Sequence, residues 1–244
     1  MSKIIYGIHA IESLINLNTN NIICIYILNN NKRLKFLIEK IKKLDINFKL
    51  TNKRYLDKIT YRAVHQGCVA YVHNISYKYN ESYLLNLFKE NKNFLFLILD
   101  GITDPHNLGA CLRCADAVKA NAIIIQKKCS VNINSTVIKV ASGAAESVPL
   151  ISVTNLSRTI KLLKKNFVRI IGTTYNAKNV IFNTKLEGSI AIVVGSENKG
   201  IRKLILSYCD ELVKIPMNGT INSLNVSVAS AICLFEVFRQ TNYT

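Results

Sequence analysis

The chain has 244 residues, 49% of them hydrophobic and 19% charged, enough for one large domain or a medium one joined to a small one, with a real core. Its 32 Lys and Arg against 15 Asp and Glu give a net charge of +17, and of nucleic acid and plain compositional drift the charge favours nucleic acid as partner. The apolar runs FLFLIL and IAIVV are strand-sized, which excludes membrane spans, and no charged-then-apolar leader opens the chain, so the expectation is a cytoplasmic soluble protein.

In chain order, GIHAIESLI predicts a helix and Ile22–Leu28 a strand. LKFLIEKIKKL predicts an amphipathic helix, because Leu34, Leu37, Ile38, Ile41 and Leu44 recur at helical spacing with lysines opposite. INFKL reads as a strand, KRYLDKI as a short helix and Gly67–His73 as another strand, completing a compact α/β unit over residues 1–73. The stretch 74–92 is polar and rich in Tyr and Asn, with one helical stripe at Leu84, Leu85, Leu87 and Phe88, and reads as a linker. Residues 93–244 alternate again, with strands predicted at Phe94–Leu99, Ala122–Ile125, Val148–Val153, Val168–Thr173, Ile190–Val194 and Glu211–Ile215. A long apolar helix, NSLNVSVASAICLFEVFRQ, closes the chain. Near-continuous apolar strands separated by helices argue for a parallel sheet covered on both faces, whose ligands bind beyond the carboxyl ends of the strands.

Three polar loops follow apolar strands. In DGITDPHNLGACLR, Pro105 pre-sets a turn, Asn107 suits a turn or a helix N-cap, and Gly109 lets backbone come close. Arg113 lies about two turns further on, within reach of a group over the helix N-terminus. VVGSENKGIRKL has the glycine spacing of a phosphate loop, but Ile201 and Arg202 stand where Lys and Ser/Thr are required, which leaves Glu197 as the chemical group of that loop. In VKIPMNGTINSLNVSVASA a strand ends at Pro216, and Ser223 and Asn225 stand at the start of the long helix, with Ser223 a candidate cap. The small residues behind it (Val226, Ser227, Ala229, Ser230, Ala231) permit close packing against another backbone or another subunit.

Other chemistries lack their signatures. No G-x-G-x-x-G follows a strand, there is no nucleophile elbow, and His9, His65, His73 and His106 are scattered rather than paired at metal spacing. Cys111 and Cys114 form a C-x-x-C without a second pair, and the odd total of seven cysteines, with Cys24, Cys68 and Cys233 in apparent core segments, suits packing in a reducing compartment.

Taken in order, DPHNLGACLRCADA, VVGSENKGI and IPMNGTINSLNVSVASAICLFEVFRQ resemble the three motifs of the SpoU family of RNA ribose 2′-O-methyltransferases, over Phe94–Gln240. The front third, with YGIHAIESLI and HQGCVA, resembles the substrate-binding domain that precedes the catalytic domain in bacterial 23S rRNA guanosine 2′-O-methyltransferases. The resemblance implies an L30e-like N-terminal α/β domain plus a SPOUT-type parallel-sheet α/β domain with a C-terminal trefoil knot; periodicity gives no sign of a knot, and the general rule is that chains avoid them. It implies S-adenosylmethionine held largely by backbone at Gly195, Ile215, Pro216, Met217 and Leu224, and a catalytic set of Asn107, Arg113, Glu197, Ser223 and Asn225. Arg113 would grip the target phosphate and ribose, while Asn107, Ser223 and Asn225 supply neutral hydrogen bonds. The general base stays open between Arg113 and Glu197, with Glu197 the better candidate because a guanidinium holds its proton. A homodimer through the knot region and no metal complete the implied picture. The implied activity is methylation of a guanosine 2′-OH in 23S rRNA (in the peptidyl-transferase region), as part of large-subunit biogenesis. Alternatives are 2′-O-methylation of tRNA or another rRNA site, and a non-catalytic rRNA-binding assembly factor.

Overall fold

The structure is a computed structural model that describes residues 3–17, 19–73, 79–90, 93–196, 199–220 and 223–243. The chain forms two compact units, one of Met1–Tyr77 with Ile133–Ser147, the other of Lys78–Asn132 with Val148–Thr244. Among the described residues no helix is long and apolar enough to cross a membrane.

The first unit runs β1 (Lys3–Tyr6), α1 (Ile8–Leu17), β2 (Ile22–Leu28), α2 (Lys35–Lys43), β3 (Phe48–Thr51), α3 (Lys53–Ile59) and β4 (Cys68–Val72). Its sheet has the order β1-β4-β2-β3, with β4 antiparallel to β1 and β2, and β2 parallel to β3. Strand periodicity sorts β2: Ile25 and Ile27 are fully buried while Tyr26 between them faces the other way. The amphipathic stripe of α2 buries Leu37 and Ile41, with Leu34 buried at its N-cap and Ile38 half-buried, but Leu44, expected on the same stripe, is the C-cap residue and 47% exposed. β1 escapes the sequence reading, because four residues, KIIY, are too few to display a period.

The second unit begins with α4 (Glu81–Leu87), β5 (Leu95–Asp100), α5 (Pro105–Ala117) and β6 (Ala122–Gln126). The chain then contributes α6 (Ser135–Ala141) and α7 (Ala144–Ser147) to the first unit, where they pack on β1 and α1. It returns to the second unit as β7 (Leu150–Val153), α8 (Leu156–Lys165), β8 (Arg169–Thr173), β9 (Asn179–Val180), β10 (Ile190–Gly195), α9 (Lys203–Leu206), β11 (Glu211–Lys214) and α10 (Val226–Asn242).

These strands form one seven-stranded parallel sheet in the order β7-β6-β5-β10-β8-β11-β9. Phe96, Ile98, Ile124, Ala191 and Val193 project to one face, where Leu156, Ile160 and Leu163 of α8 and Leu84 of α4 meet them. Their buried neighbours Leu97, Leu99, Ile123, Ile125 and Ile192 alternate to the opposite face, which α5 and α10 cover. The centre of the sheet belongs to a strand that enters late, since β10 separates β5 from β8.

α10 is held to the segment leading into β10. The Gln240 carboxamide accepts from Leu186 N at 2.8 Å and donates to the Thr184 carbonyl at 3.0 Å. Glu236, 7% exposed, accepts from Arg239 through Nε and Nη2, both at 2.9 Å, and that pairing holds its carboxyl below the usual carboxylate range.

Candidate active site at the strand ends

Because the sheet is parallel, all its carboxyl ends share one edge. Register makes this specific: Gly195 at the end of β10 lies beside Asp100 at the end of β5. Val193 lies beside Gly172, and Val213 of β11 beside Thr173. The loops after β5, β10 and β11 therefore begin at nearly the same level, and these are the three polar loops of the sequence.

The first loop enters α5. Asp104, not Asn107, is the N-cap: its Oδ1 accepts from His106 N at 2.9 Å, and Pro105 occupies the first helical position, where the missing N–H costs nothing. Asn107 instead sits inside the helix, 8% exposed. Arg113, two turns along, is exposed to solvent.

The third loop enters α10, and here too the cap shifts. Asn225 rather than Ser223 takes the position, its Oδ1 accepting from Ser227 N at 2.9 Å and from Ser227 Oγ at 2.6 Å. With its oxygen committed, the Asn225 amide turns its Nδ2 outward and donates to Asn107 Oδ1 at 3.0 Å, joining positions 118 residues apart. Ser223 is exposed. Behind the cap Cys111, buried on α5, meets Ser230 Oγ of α10 at 3.6 Å, so one cysteine of the C-x-x-C packs between helices. Among the described residues no cluster of His, Cys, Asp and Glu could hold a metal ion.

The second loop closes at its described ends. Gly200 N donates to the Ser196 carbonyl at 2.8 Å, folding the loop back over Gly195. Glu197, which the sequence reading places in the catalytic set, lies outside the described residues. The third loop leaves the sheet after Lys214, so the backbone of Ile215, Pro216 and Met217 lies beyond the ladder, with Ile215, Met217 and Leu224 half-buried and Pro216 exposed.

Two residues that the sequence reading passes over organise this edge. Asp100 is a carboxylate with a fully buried side chain at the end of an apolar strand, which is tolerable only if it is paired. Arg202 supplies the partner: its backbone N donates to Oδ2 at 2.9 Å, its Nε to Oδ1 at 2.8 Å, and its Nη2 lies 2.6 Å from Oδ1. The same Nη2 donates to Gln126 Oε1 at 2.6 Å, tying the second loop to the ends of both β5 and β6. Hydrogen bonding to Asp100 pushes the Arg202 guanidinium up, so it stays charged. An Asp closing the run LFLIL is the signal that could have found this clamp; its partner, 102 residues away, has no local signature. Arg202→Ala is expected to cost about 2 kcal/mol, the scale of losing hydrogen bonds to a buried charge. It should also speed amide exchange at 199–202; unchanged melting and exchange would exclude the clamp.

Known families match both parts of the chain. Residues 94–235 match the SpoU rRNA methylase family, and residues 4–78 match the family of RNA 2′-O ribose methyltransferase substrate-binding domains. The chain belongs to the SpoU rRNA methylase family. Among SpoU relatives it is 48% identical over 247 residues to the 23S rRNA (guanosine-2′-O-)-methyltransferase RlmB of Blochmanniella floridana, covering 100% of this chain and 97% of that one. It is 46% identical to RlmB of Escherichia coli K12, covering 98% and 99% respectively. The solved SpoU methyltransferase AviRb of Streptomyces viridochromogenes shares the fold with a TM-score of 0.81 at 19% identity, over 98% of this chain and 89% of that one. A solved RNA 2′-O ribose methyltransferase gives 0.77 at 25% identity, over 98% and 88%. The SpoU architecture expected from the sequence, two α/β domains with a SPOUT-type parallel sheet and a C-terminal trefoil knot, is thus the architecture of this chain. The late central strand β10, and the second and third loops that follow it, belong to that C-terminal SpoU region.

Proposed function

We propose that this protein transfers the methyl group of S-adenosylmethionine to the ribose 2′-OH of a guanosine in 23S rRNA, as a cytoplasmic homodimer acting during large-subunit biogenesis. The relatives that match it along nearly their whole length are named for that reaction. The observation that carries the site is the Asn225–Asn107 hydrogen bond, which brings the first and third motif loops together at the sheet edge where the second loop also begins.

The residues present fit the cofactor. Past Lys214 the Ile215–Met217 backbone is outside the sheet ladder, and half-buried Ile215, Met217 and Leu224 offer apolar walls beside its backbone polar groups. That lining would suit an adenine ring and the aliphatic carbons beside a sulfonium, which leaves as a neutral thioether once the methyl is transferred. Gly195 and Pro216 complete the proposed cradle, and S-adenosylmethionine supplies the electrophilic methyl carbon when bound.

The remaining work falls to side chains. A ribose hydroxyl becomes an effective nucleophile when its proton is drawn off and its oxygen is aligned with the methyl carbon. Arg113, exposed on α5, is suited to hold the flanking phosphate by a bidentate grip. The Asn107–Asn225 pair and Ser223 orient the ribose through neutral hydrogen bonds, which keep a carboxylate as the one acceptor for the proton. Glu197 takes that proton at a carboxylate oxygen, because a guanidinium cannot surrender its own to become a base. In this division residues 1–73 grip RNA and the chemistry lies within 93–244, while the stretch 74–92, expected to be a linker, supplies α4 to the core of the second unit, and 133–147 pack with the first. The exposed Val228 and Phe235 of α10, seven residues apart and so on one helix face, are the proposed dimer contact.

Mapping 2′-O-methyl groups along the rRNA of cells with and without the gene tests the reaction directly. One guanosine of 23S rRNA should lose its mark and regain it when the gene is restored; an unchanged 23S rRNA map, or a lost mark on tRNA, would overturn the assignment. Sedimentation should give twice the chain mass, and a monomer would overturn the dimer.

A further inference from the structure

The first unit carries an aromatic face that its own packing does not explain. Tyr26 of β2, turned away from the core, meets Tyr55 of α3 at 5.2 Å between ring centroids and Tyr71 of β4 at 5.6 Å. A hydrogen bond with Tyr55, then burial, push the Tyr26 phenol up to about 12, and burial, with Tyr55 and Tyr61 nearby, raises that of Tyr71. Tyr26 and Tyr71 therefore stay neutral. Lys49 lies directly beside Tyr26 in the register of β2 and β3, on the same face of the sheet.

Next to these rings stands Tyr61, 93% exposed. It and Arg62 are consecutive non-glycine residues in the left-handed region, at φ 53° and 62°. Such backbone persists only where its surroundings enforce it. Here Arg62 N donates to the Asp57 carbonyl at 2.7 Å and Thr60 Oγ1 to that of Leu56 at 2.7 Å. His65, 6% exposed, locks the turn from beneath: its Nδ1 accepts from Gly67 N at 3.0 Å, which leaves Nε2 to donate to Asp57 Oδ1 at 3.0 Å. A rigid turn thus presents an aromatic ring to solvent.

Beside the turn lies a cavity of about 620 Å³ lined by Lys53, Arg54, Asp57, Lys58 and Arg62. Its only acid, Asp57, is the one already engaged by His65, so the cavity presents cationic groups.

We propose that this face takes an unpaired segment of RNA, with bases stacking on Tyr61 and Tyr55 and phosphates lying along Lys49 and the basic cavity. The inference rests on the reading of the protein as an enzyme acting on RNA, and specifies what its first unit grips. Duplex RNA stacks its bases internally and offers a protein mainly phosphates and 2′-hydroxyls, for which solvent-facing rings have no use. Splayed bases do use them, through ring faces that every base possesses, and neighbouring cations neutralise the backbone.

The test uses the full chain and fluorescence anisotropy over a series of salt concentrations, with the RNAs and variants compared at equal salt. Its probes are a labelled single-stranded RNA of about 12 nucleotides, a typical site size, and a hairpin duplex of equal phosphate count. The single strand should bind more tightly. Tyr61→Ala should weaken it by roughly 5- to 150-fold, the range for loss of one base–aromatic stack, while Tyr61→Phe binds like the wild type and the duplex is indifferent to both changes. Lys58→Ala should weaken both RNAs and lower the salt slope by about one. Equal affinity for the two RNAs, or Tyr61→Ala binding the single strand unchanged, would overturn the proposal, as would a ring face needed only for a protein partner. Methyl transfer measured in parallel separates the two readings. An active enzyme with tyrosine-independent binding sinks the aromatic face alone; an inactive chain that still needs Tyr61 for single strands sinks the methyl transfer alone.

Discussion

Arg113→Ala is expected to lower methyl transfer to an rRNA fragment by about 100- to 1,000-fold, the usual scale for losing one group that stabilises a reacting site electrostatically, with the affinity for S-adenosylmethionine nearly unchanged. The split follows from position. Arg113 is exposed on α5, so its removal leaves neither a cavity nor an orphaned charge, and the fold should tolerate it. The proposed cofactor cradle lies instead at Gly195, Ile215–Met217 and Leu224, on loops that follow β10 and β11. Arg113→Lys should recover part of the rate only, since a point charge replaces a planar fork. Tritiated methyl incorporation reads the rate and calorimetry the cofactor affinity. Cofactor affinity lost in step with activity would show that Arg113 serves the cofactor and not the RNA.

Gly195→Ala is expected to damage the second loop and the cofactor cradle it helps to form. A Cβ there would stand 2.0 Å from the Gly200 carbonyl carbon and 2.1 Å from Ile201 N, both backbone atoms that no rotamer change can move. Glycine is required here for space. Gly200, five residues on, differs: a methyl group added there would meet nothing within 4 Å, but φ is held at 62°, so glycine is required for conformation. To admit the methyl at Gly195 the loop must open, straining the Gly200–Ser196 hydrogen bond and the Arg202–Asp100 clamp next to it. Overpacking of this kind costs about 1–3 kcal/mol, or several degrees of melting temperature in a chain of this size, and cofactor affinity should fall by more than the stability does. Thermal denaturation with calorimetry checks both. Wild-type cofactor affinity in Gly195→Ala would remove the second loop from the cradle.

Much of the fold was readable beforehand where a pattern had room to repeat. Ile22–Leu28 and Lys53–Ile59 run as the sequence predicts, and the apolar strands of the second unit fall within a residue or two of their expected bounds. β1 and the two-residue β9 were not readable, since their neighbours in the sheet create them. The helix caps fall three residues before Asn107 and two after Ser223, for a common reason. Asp, Asn and Ser have similar capping strength, so Asp104 against Asn107 and Asn225 against Ser223 is not a choice that local propensity can make.

By itself the sequence determined the parallel α/β class of the second unit, the three polar loops at strand ends, and the family those loops belong to. The tertiary structure alone decided that Asn107 meets Asn225 and that Asp100 is neutralised by Arg202. Those pairs span 118 and 102 positions, and what sets them is strand order, with β10 between β5 and β8, and the register that levels Gly195 with Asp100. Local periodicity extends over a few residues, whereas strand order is settled by which apolar faces the whole chain can bury together.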